Sequence, residues 1–428
     1  MGLGILGGGV ATARWLAERE ADLTVTDMKD EKHLKSSLEK LKDLNIKYVL
    51  GKHEEKDFLE NEIIVINPDV PANNKYVELA RRAGKKIENE LTLFYRFCKS
   101  KNTVAITGTR GKTTTVNWTY HLLKQKFPDT VIAGNSSENP FLDVLSKIEE
   151  NTNVVLEVPS YQLELLPESG FSSPIVAITN VYTDHLNRHG DIQNYAEVKS
   201  GIFRNQTENN FLILNQENEW AEFFLSKNPR AKVILLSKKE IPTGLFDIKK
   251  FVEKWGEHNL ENLLIAIKIA ELKGLSEEEI KKGIGTLSDI RFRQELVYNK
   301  NSLQIYNDTA ATSPDATIAA IKRFGKNAIF ISGDTDRELD FKGWAKFVKE
   351  NLNLKNLVLL SGSATEKMKK ELNEAVDERD SLEECLNLAL EKVGKDGTIV
   401  FSPGAKSFEK FKNEFDRGEK FNTLIENI

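Results

Sequence analysis

Short β-branched runs, separated by stretches with the apolar spacing of amphipathic helices, recur at Leu23 to Thr26, Ile63 to Ile66, Thr103 to Thr107, Val154 to Glu157 and Ile175 to Thr179. A strand followed by a helix returns most simply as a parallel neighbour, so this rhythm demands parallel sheets with crossover helices. It pauses at two helical stretches, Leu260 to Gly274 and Ser276 to Leu287. It resumes at Leu303 to Tyr306, Ala328 to Ile331, Leu357 to Leu360 and Thr398 to Phe401. The expected class is α/β, in three domains, each on a largely parallel sheet with flanking helices. A chain of 428 residues exceeds what one core usually organises. The expected boundaries lie in a polar link near Phe97 to Asn102 and near Leu287 to Arg291, giving domains 1–97, 98–288 and 289–428.

One of these strands runs into Ala105-Ile-Thr-Gly-Thr-Arg-Gly-Lys-Thr-Thr-Thr115. Gly108 and Gly111 let backbone N–H groups approach oxygens that a Cβ would exclude, and the helix opening near Lys112 points its positive end at the same anion. Lys112 adds a mobile charge and Thr113 offers a hydroxyl to Mg²⁺. The longer phosphate-loop pattern would want glycine at Ile106; the tighter form Thr107-Gly-Thr-x-Gly-Lys-Thr-Thr114 fits instead. ATP is the ligand this segment suggests, with Thr109 and Thr114 as further cradle residues.

Other segments lie at strand ends, where parallel sheets face their ligand crevice. Gly2-x-Gly4-x-x-Gly7, with Asp27 ending the next strand, has the form of a nucleotide-binding turn with a ribose-side acid. Such a turn should follow a strand, yet only Met1 precedes it, so that strand is expected to be missing or much shortened. Glu157 ends an apolar strand in Leu156-Glu-Val-Pro-Ser-Tyr-Gln-Leu-Glu164 and reads as a Mg²⁺ ligand. His185 follows Asp184, with Asn180 upstream. Lys199, on a helix, reads by position alone as a solvated lysine. Asn259 and Asn262 stand one turn apart at the head of a helix, able to bracket a purine edge or to cap. Arg293, Asp308, Arg337, Lys406 and Ser407 fall near the last strands, where cations suit carboxylate recognition.

Composition narrows the alternatives. A net charge of −5, with 29% charged and 40% hydrophobic residues, gives no basic field for nucleic acid. Cys98 and Cys385 lack metal-ligand spacing and fit a reducing compartment. No apolar run approaches the ~20 residues that span a bilayer. A cytoplasmic protein is expected.

Taken in order, the glycine turn, TGTRGKTT, LEVPSYQLE, TDH, YAEVK, GEHNLEN, RFRQE, NDTAAT, GDTDRELDF and SPGAKSF resemble the Mur ligases of peptidoglycan precursor synthesis over essentially the whole chain. The resemblance implies an N-terminal UDP-binding Rossmann-like domain, a central ATPase domain and a C-terminal Rossmann-like domain. It implies ATP-driven amide formation through an acyl phosphate, with UDP-N-acetylmuramoyl-L-alanine and D-glutamate as substrates and a monomeric enzyme. Carried over by motif, Lys112 holds the transferring phosphate, and Thr113 and Glu157 share one Mg²⁺. His185 serves a second Mg²⁺ together with Lys199, which matches the position the family carbamylates. Asn259, Asn262, Arg293 and Asp308 match nucleotide-side groups. Asn135, Ser160, Gly4, Gly7 and Asp27 fall on the sugar-nucleotide side, and Arg337, Ser407 and Phe415 around the incoming amino acid.

Three features depart from the family pattern. Ala310 stands where a lysine is usual, Ser136-Ser137 where Ile-Gly is usual, and the chain opens directly on its glycine turn. Lys406, in place of a small residue, or Arg337 is expected to restore the charge. A sister ligase, a folylpolyglutamate-synthetase-like enzyme and a nucleotide-binding relative without turnover remain as alternatives.

Overall fold

The computed structural model describes residues 1–5, 7–134, 139–242, 244–394 and 396–428. The chain forms two compact units, one of residues 1–245 and 261–286, the other of 246–260 and 287–428.

In the first unit, β1 (Thr24–Asp27) pairs in parallel with β2 (Lys47–Leu50), and β3 (Ile63–Val65) with β4 (Lys86–Glu88). Met1 and Gly2 lie between these ribbons. The Met1 amino group donates to the Val65 carbonyl (2.8 Å), the Met1 carbonyl accepts from Asn67 N, and Gly2 N donates to the Thr26 carbonyl. The expected first strand is thus present as two residues that join the β1 and β3 ribbons.

The same unit holds a six-stranded all-parallel sheet of β5 (Thr103–Thr107), β6 (Val131–Gly134), β7 (Val154–Glu157), β8 (Ile175–Ile178), β9 (Phe211–Asn215) and β10 (Lys232–Leu236), in the order β10-β9-β8-β5-β7-β6. Val104, Ala105 and Ile106 are wholly buried in succession, as befits a strand with helices on both faces. The chain leaves β5 toward β6 and later crosses to β8 on its other side. The ends of β7, β5 and β8 therefore line a switch point, where open α/β sheets hold ligands.

The second unit carries β11 (Glu295–Lys300), β12 (Leu303–Asn307), β13 (Ile329–Gly333), β14 (Leu357–Leu360), β15 (Asp377–Arg379) and β16 (Gly397–Phe401), ordered β11-β12-β16-β13-β14-β15. Only β11 runs antiparallel, at the edge. Alternate residues feed opposite faces: Phe330 and Leu359 pack with Trp344, Val348 and Met368, while Ile331 and Val358 pack with Cys385, Phe401 and Phe421. Because β16 inserts between β12 and β13, the NDTAAT, SPGAKS and GDTD segments leave three adjacent strands. Both cysteines are buried and unpaired. Among the described residues no helix is long and apolar enough to cross a membrane.

Candidate active site

The loop after β5 is clamped onto the end of β8. Thr109 N and Arg110 N donate to the carbonyl and side-chain oxygens of Asn180, each at 2.9 Å, and Thr179 Oγ1 donates to the Arg110 carbonyl at 2.6 Å. Both glycines are sterically required. Gly108 has φ +149°, and a Cβ there would stand 1.9 Å from Thr179 Oγ1. Gly111 has φ +79°, and its Cβ would stand 2.2 Å from Asn262 Oδ1. Asn262 also accepts from Thr115 Oγ1 (3.2 Å), so the helix Asn259–Leu272 closes one side of the loop. The helix Lys112–Leu123 starts directly after Gly111, with Thr114 buried in its first turn.

Two lysines meet at one oxygen. Lys112 Nζ folds back to the carbonyls of Gly108 and Thr109, both 3.0 Å away, and Lys199 Nζ donates to the same Gly108 carbonyl at 2.8 Å. Lys199 is wholly buried, with Nζ 4.3 Å from the Tyr195 ring centre. Burial, reinforced by the charge on Lys112, holds its ammonium well below the usual lysine range. The expectation of a solvated lysine from position alone fails here, because the helix Ile192–Ser200 turns this face into the protein.

Glu157, at the end of β7, accepts from Thr113 Oγ1 at 3.1 Å, so the two hard oxygen donors named for Mg²⁺ are adjacent. Among the described residues no three His, Cys, Asp or Glu side chains gather as a metal cage. A sparse oxygen pair suits Mg²⁺, which usually keeps waters and takes one or two protein carboxylates beside substrate phosphates. His185 heads the helix Leu186–His189 at φ +53°, its ring 6.2 Å from that of Tyr195. Ser160 Oγ lies 3.0 Å from His189 Nε2, and burial pushes the His189 ring down to about 4, leaving it neutral.

Two residues that motif reading left without a role tie this region to the N-terminal ribbons. Arg188 makes a forked pair with Glu164 (2.8 and 2.9 Å) and donates to the carbonyls of Asp69 and Val70, while Glu164 accepts from Ala72 N. Glu164 closes the LEVPSYQLE motif and Arg188 stands three residues beyond TDH. Their pairing is a long-range fact that no local pattern announces. In the glycine turn, Asp27 accepts from Gly4 N (2.9 Å) and Lys29 N (2.8 Å), and Gly7 precedes the helix Gly8–Ala17. The carboxylate expected to face a ribose thus holds the turn itself. Asn135, Ser136 and Ser137 lie outside the described residues.

In the second unit, Asp308 is buried between Gln294 N (3.1 Å) and Ser402 Oγ (2.8 Å), and burial pushes its carboxyl up to about 7. Arg293 lowers it through its charge. Arg417, unnoticed in the sequence, is wholly buried and pairs with Asp334 (2.9 Å). It also donates to Thr309 Oγ1 and to the carbonyls of Thr309, Ala405 and Lys406. One guanidinium fork therefore ties together the loops after β12, β13 and β16. Ser407 is buried, its hydroxyl without a partner among the described residues, Arg337 stacks 4.3 Å over the Phe408 ring, and Phe415 is half exposed, 6.2 Å from Phe292. Asn259 donates to the Trp255 carbonyl at 2.7 Å.

Family models match this chain as a Mur ligase MurD-like N-terminal domain over residues 1–89 and a Mur ligase middle domain over residues 106–270. A UDP-N-acetylmuramoylalanine–D-glutamate ligase of Roseiflexus sp. (strain RS-1) is 35% identical, the match covering 100% of this chain and 98% of that protein. One of the same name from Borreliella afzelii (strain PKo) is 36% identical, covering 100% and 96%. The crystal structure of MurF from Acinetobacter baumannii shares the fold, with a TM-score of 0.62 at 17% identity, over 96% of this chain and 91% of that one. Full-length identity at this level, with both domain models in register, makes the chain a member of the Mur ligase family.

Proposed function

We propose that this protein is the ATP-dependent ligase joining D-glutamate to UDP-N-acetylmuramoyl-L-alanine. Its relatives carry that name over their full length, and the site carries the chemistry such a reaction needs. A carboxylate is electron-rich and its oxygen leaves poorly. Transfer of the γ-phosphoryl group makes an acyl phosphate, and the incoming amine displaces phosphate from that carbonyl. Lys112 would hold the transferring group, Asn262 borders the nucleotide loop, and Thr113 with Glu157 would hold Mg²⁺, which would neutralise phosphate charge. The domain limits 1–97, 98–288 and 289–428, a monomeric state and a cytoplasmic site belong to the same reading.

The observation that carries it is the shared Gly108 carbonyl between Lys112 and Lys199. A buried amine beside a required cation serves best uncharged. Neutral Lys199 can add CO₂ with loss of one proton, forming the N–C bond of a carbamate. The resulting anion, with His185, would hold a second Mg²⁺ and offset the charge on Lys112. The test mixes protein, ATP, Mg²⁺ and UDP-N-acetylmuramoyl-L-alanine with each of several amino acids, following ADP and amide product. D-Glutamate alone should support turnover; preference for L-alanine, a diamino acid or a folate would replace the assignment.

Lys199→Met sharpens the carbamate. The folded-state pKa lies below the unfolded one, so the unmodified amine costs stability at pH below the unfolded value, increasingly as pH falls toward the folded one, a cost methionine removes. Activity is expected to fall by about a hundredfold or more, the loss typical of a missing charge-stabilising group, with melting temperature held or raised. A ¹³C carbamate resonance from labelled bicarbonate should vanish. Full activity in this variant would dismiss the carbamate.

A further inference from the structure

Lys406 carries a cationic side chain on the loop after β16. Among the described residues no carboxylate pairs with it, and its ammonium has one partner, Thr312 Oγ1, at 3.4 Å. Its backbone is held firmly. Lys406 N donates to the Thr335 carbonyl (3.0 Å), and its own carbonyl accepts from Thr335 N (3.1 Å) and from the buried Arg417 (2.9 Å). The half-buried ammonium carries three donors, and its one long bond to a hydroxyl leaves it able to turn to an anion beside Thr312.

Its surroundings indicate what fills that capacity. Thr312 closes the turn that begins at Asp308, where Ala311 N donates to the Asp308 carbonyl and Thr312 N to the Ala310 carbonyl. That turn, Asp308-Thr-Ala-Ala-Thr312, has no basic side chain of its own. Gly404 N donates to the Ala311 carbonyl at 2.8 Å, fastening the Lys406 loop to it. The nearest rival, Arg337, is exposed and stacked on Phe408. Of the two cations expected to replace a missing charge, only Lys406 reaches the turn that lacks one.

We propose that Lys406 Nζ and Thr312 Oγ1 form an oxyanion-binding pair, the lysine recruited from the loop after β16, that grips one oxyanion of a ligand, a carboxylate or a phosphate. This rests on the ligase reading above. The pair supplies an ammonium and a hydroxyl to one oxyanion, and such charge-assisted bonds are the stronger kind.

The test compares the parent protein with Lys406→Ala, Lys406→Arg and the double variant Lys406→Ala/Ala310→Lys. It measures KM for D-glutamate and ATP, kcat, and the calorimetric affinity for D-glutamate and for inorganic phosphate. Lys406→Ala should weaken one anion by about tenfold or more, the effect of a lost charged hydrogen bond. Lys406→Arg should retain part of that binding, and a lysine at 310 should restore part of it. A change confined to D-glutamate names the carboxylate, and one confined to phosphate and ATP names the phosphoryl oxygen. If Lys406→Ala keeps kcat, both KM values and both affinities within about twofold, the pair is not a site. A parent protein without ligation would defeat the ligase reading, while the two affinities would still decide the pair.

Discussion

Lys112→Ala is expected to lower ADP formation by about 10³-fold or more, because a fixed cation at a transferring phosphoryl group is worth that much in related chemistry. The Lys112 ammonium rests on the Gly108 and Thr109 carbonyls, and both oxygens belong to its own loop. Removing it should leave the loop clamped, since Asn180 and Thr179 hold Thr109 and Arg110 through separate bonds. The melting temperature should therefore move little while turnover collapses. A second consequence distinguishes loss of charge from loss of shape: without Lys112 nearby, the Lys199 amine loses one cause of its lowered pKa, and its protonation should move toward the usual lysine range. Turnover is measured by coupled ADP release. A rate near that of the parent would mean that the loop after β5 is not where phosphate is transferred.

The pair of lysines marks how far local pattern reaches. The strand, glycine loop and helix around Lys112 could be read because the chemistry is contiguous: β-branched residues, two glycines with left-handed φ, then a helix start. Glu157 was legible for a related reason, an acid closing an apolar strand. Lys199 was not, since 91 residues separate it from Gly108 and only the order β8-β5-β7 brings its helix over the loop. The role proposed for it comes from family resemblance alone, and its burial is the physical content the structure adds. The two amides at 259 and 262 divide their work. Asn262 borders Gly111, while Asn259 donates to the Trp255 carbonyl at the end of the preceding helix. The N-terminal strand was expected to be missing or shortened, and two residues suffice because Met1 and Gly2 use their backbone groups on both sides.

Arg188, Glu164 and Arg417 escaped sequence reading for a shared reason. A lone arginine or glutamate is normally a solvated charge, and nothing in its neighbours says otherwise. Each gains meaning only from partners brought near by strand order. The strand-end motifs GDTD, NDTAAT and SPGAKS were legible as three places; that one guanidinium joins them was not.

That guanidinium sets the largest expected effect on folding. Arg417 and Asp334 both have side chains without solvent exposure, so Arg417→Met would leave a buried carboxylate unpaired. Breaking such a pair from one side typically costs about 3–5 kcal/mol. Burial already pushes the Asp334 carboxyl up against the pull of Arg417, so losing the arginine should drive it further toward the neutral acid. Asp334 also holds φ +115°, a backbone position that a non-glycine residue tolerates only under firm constraint. With the fork gone, the carbonyls of Thr309 and Ala405 lose the arginine as donor, and that of Lys406 keeps Thr335 N alone of the two it had. The conservative change Arg417→Lys keeps the charge but cannot span three loops, and should recover only part of the loss. Because the chain has two compact units, the readout is hydrogen exchange resolved to β12, β13 and β16, where protection should fall while β5 to β8 keep theirs. Uniform protection in the methionine variant would show that the three loops hold their positions without the arginine, and that the Lys406 site does not depend on it.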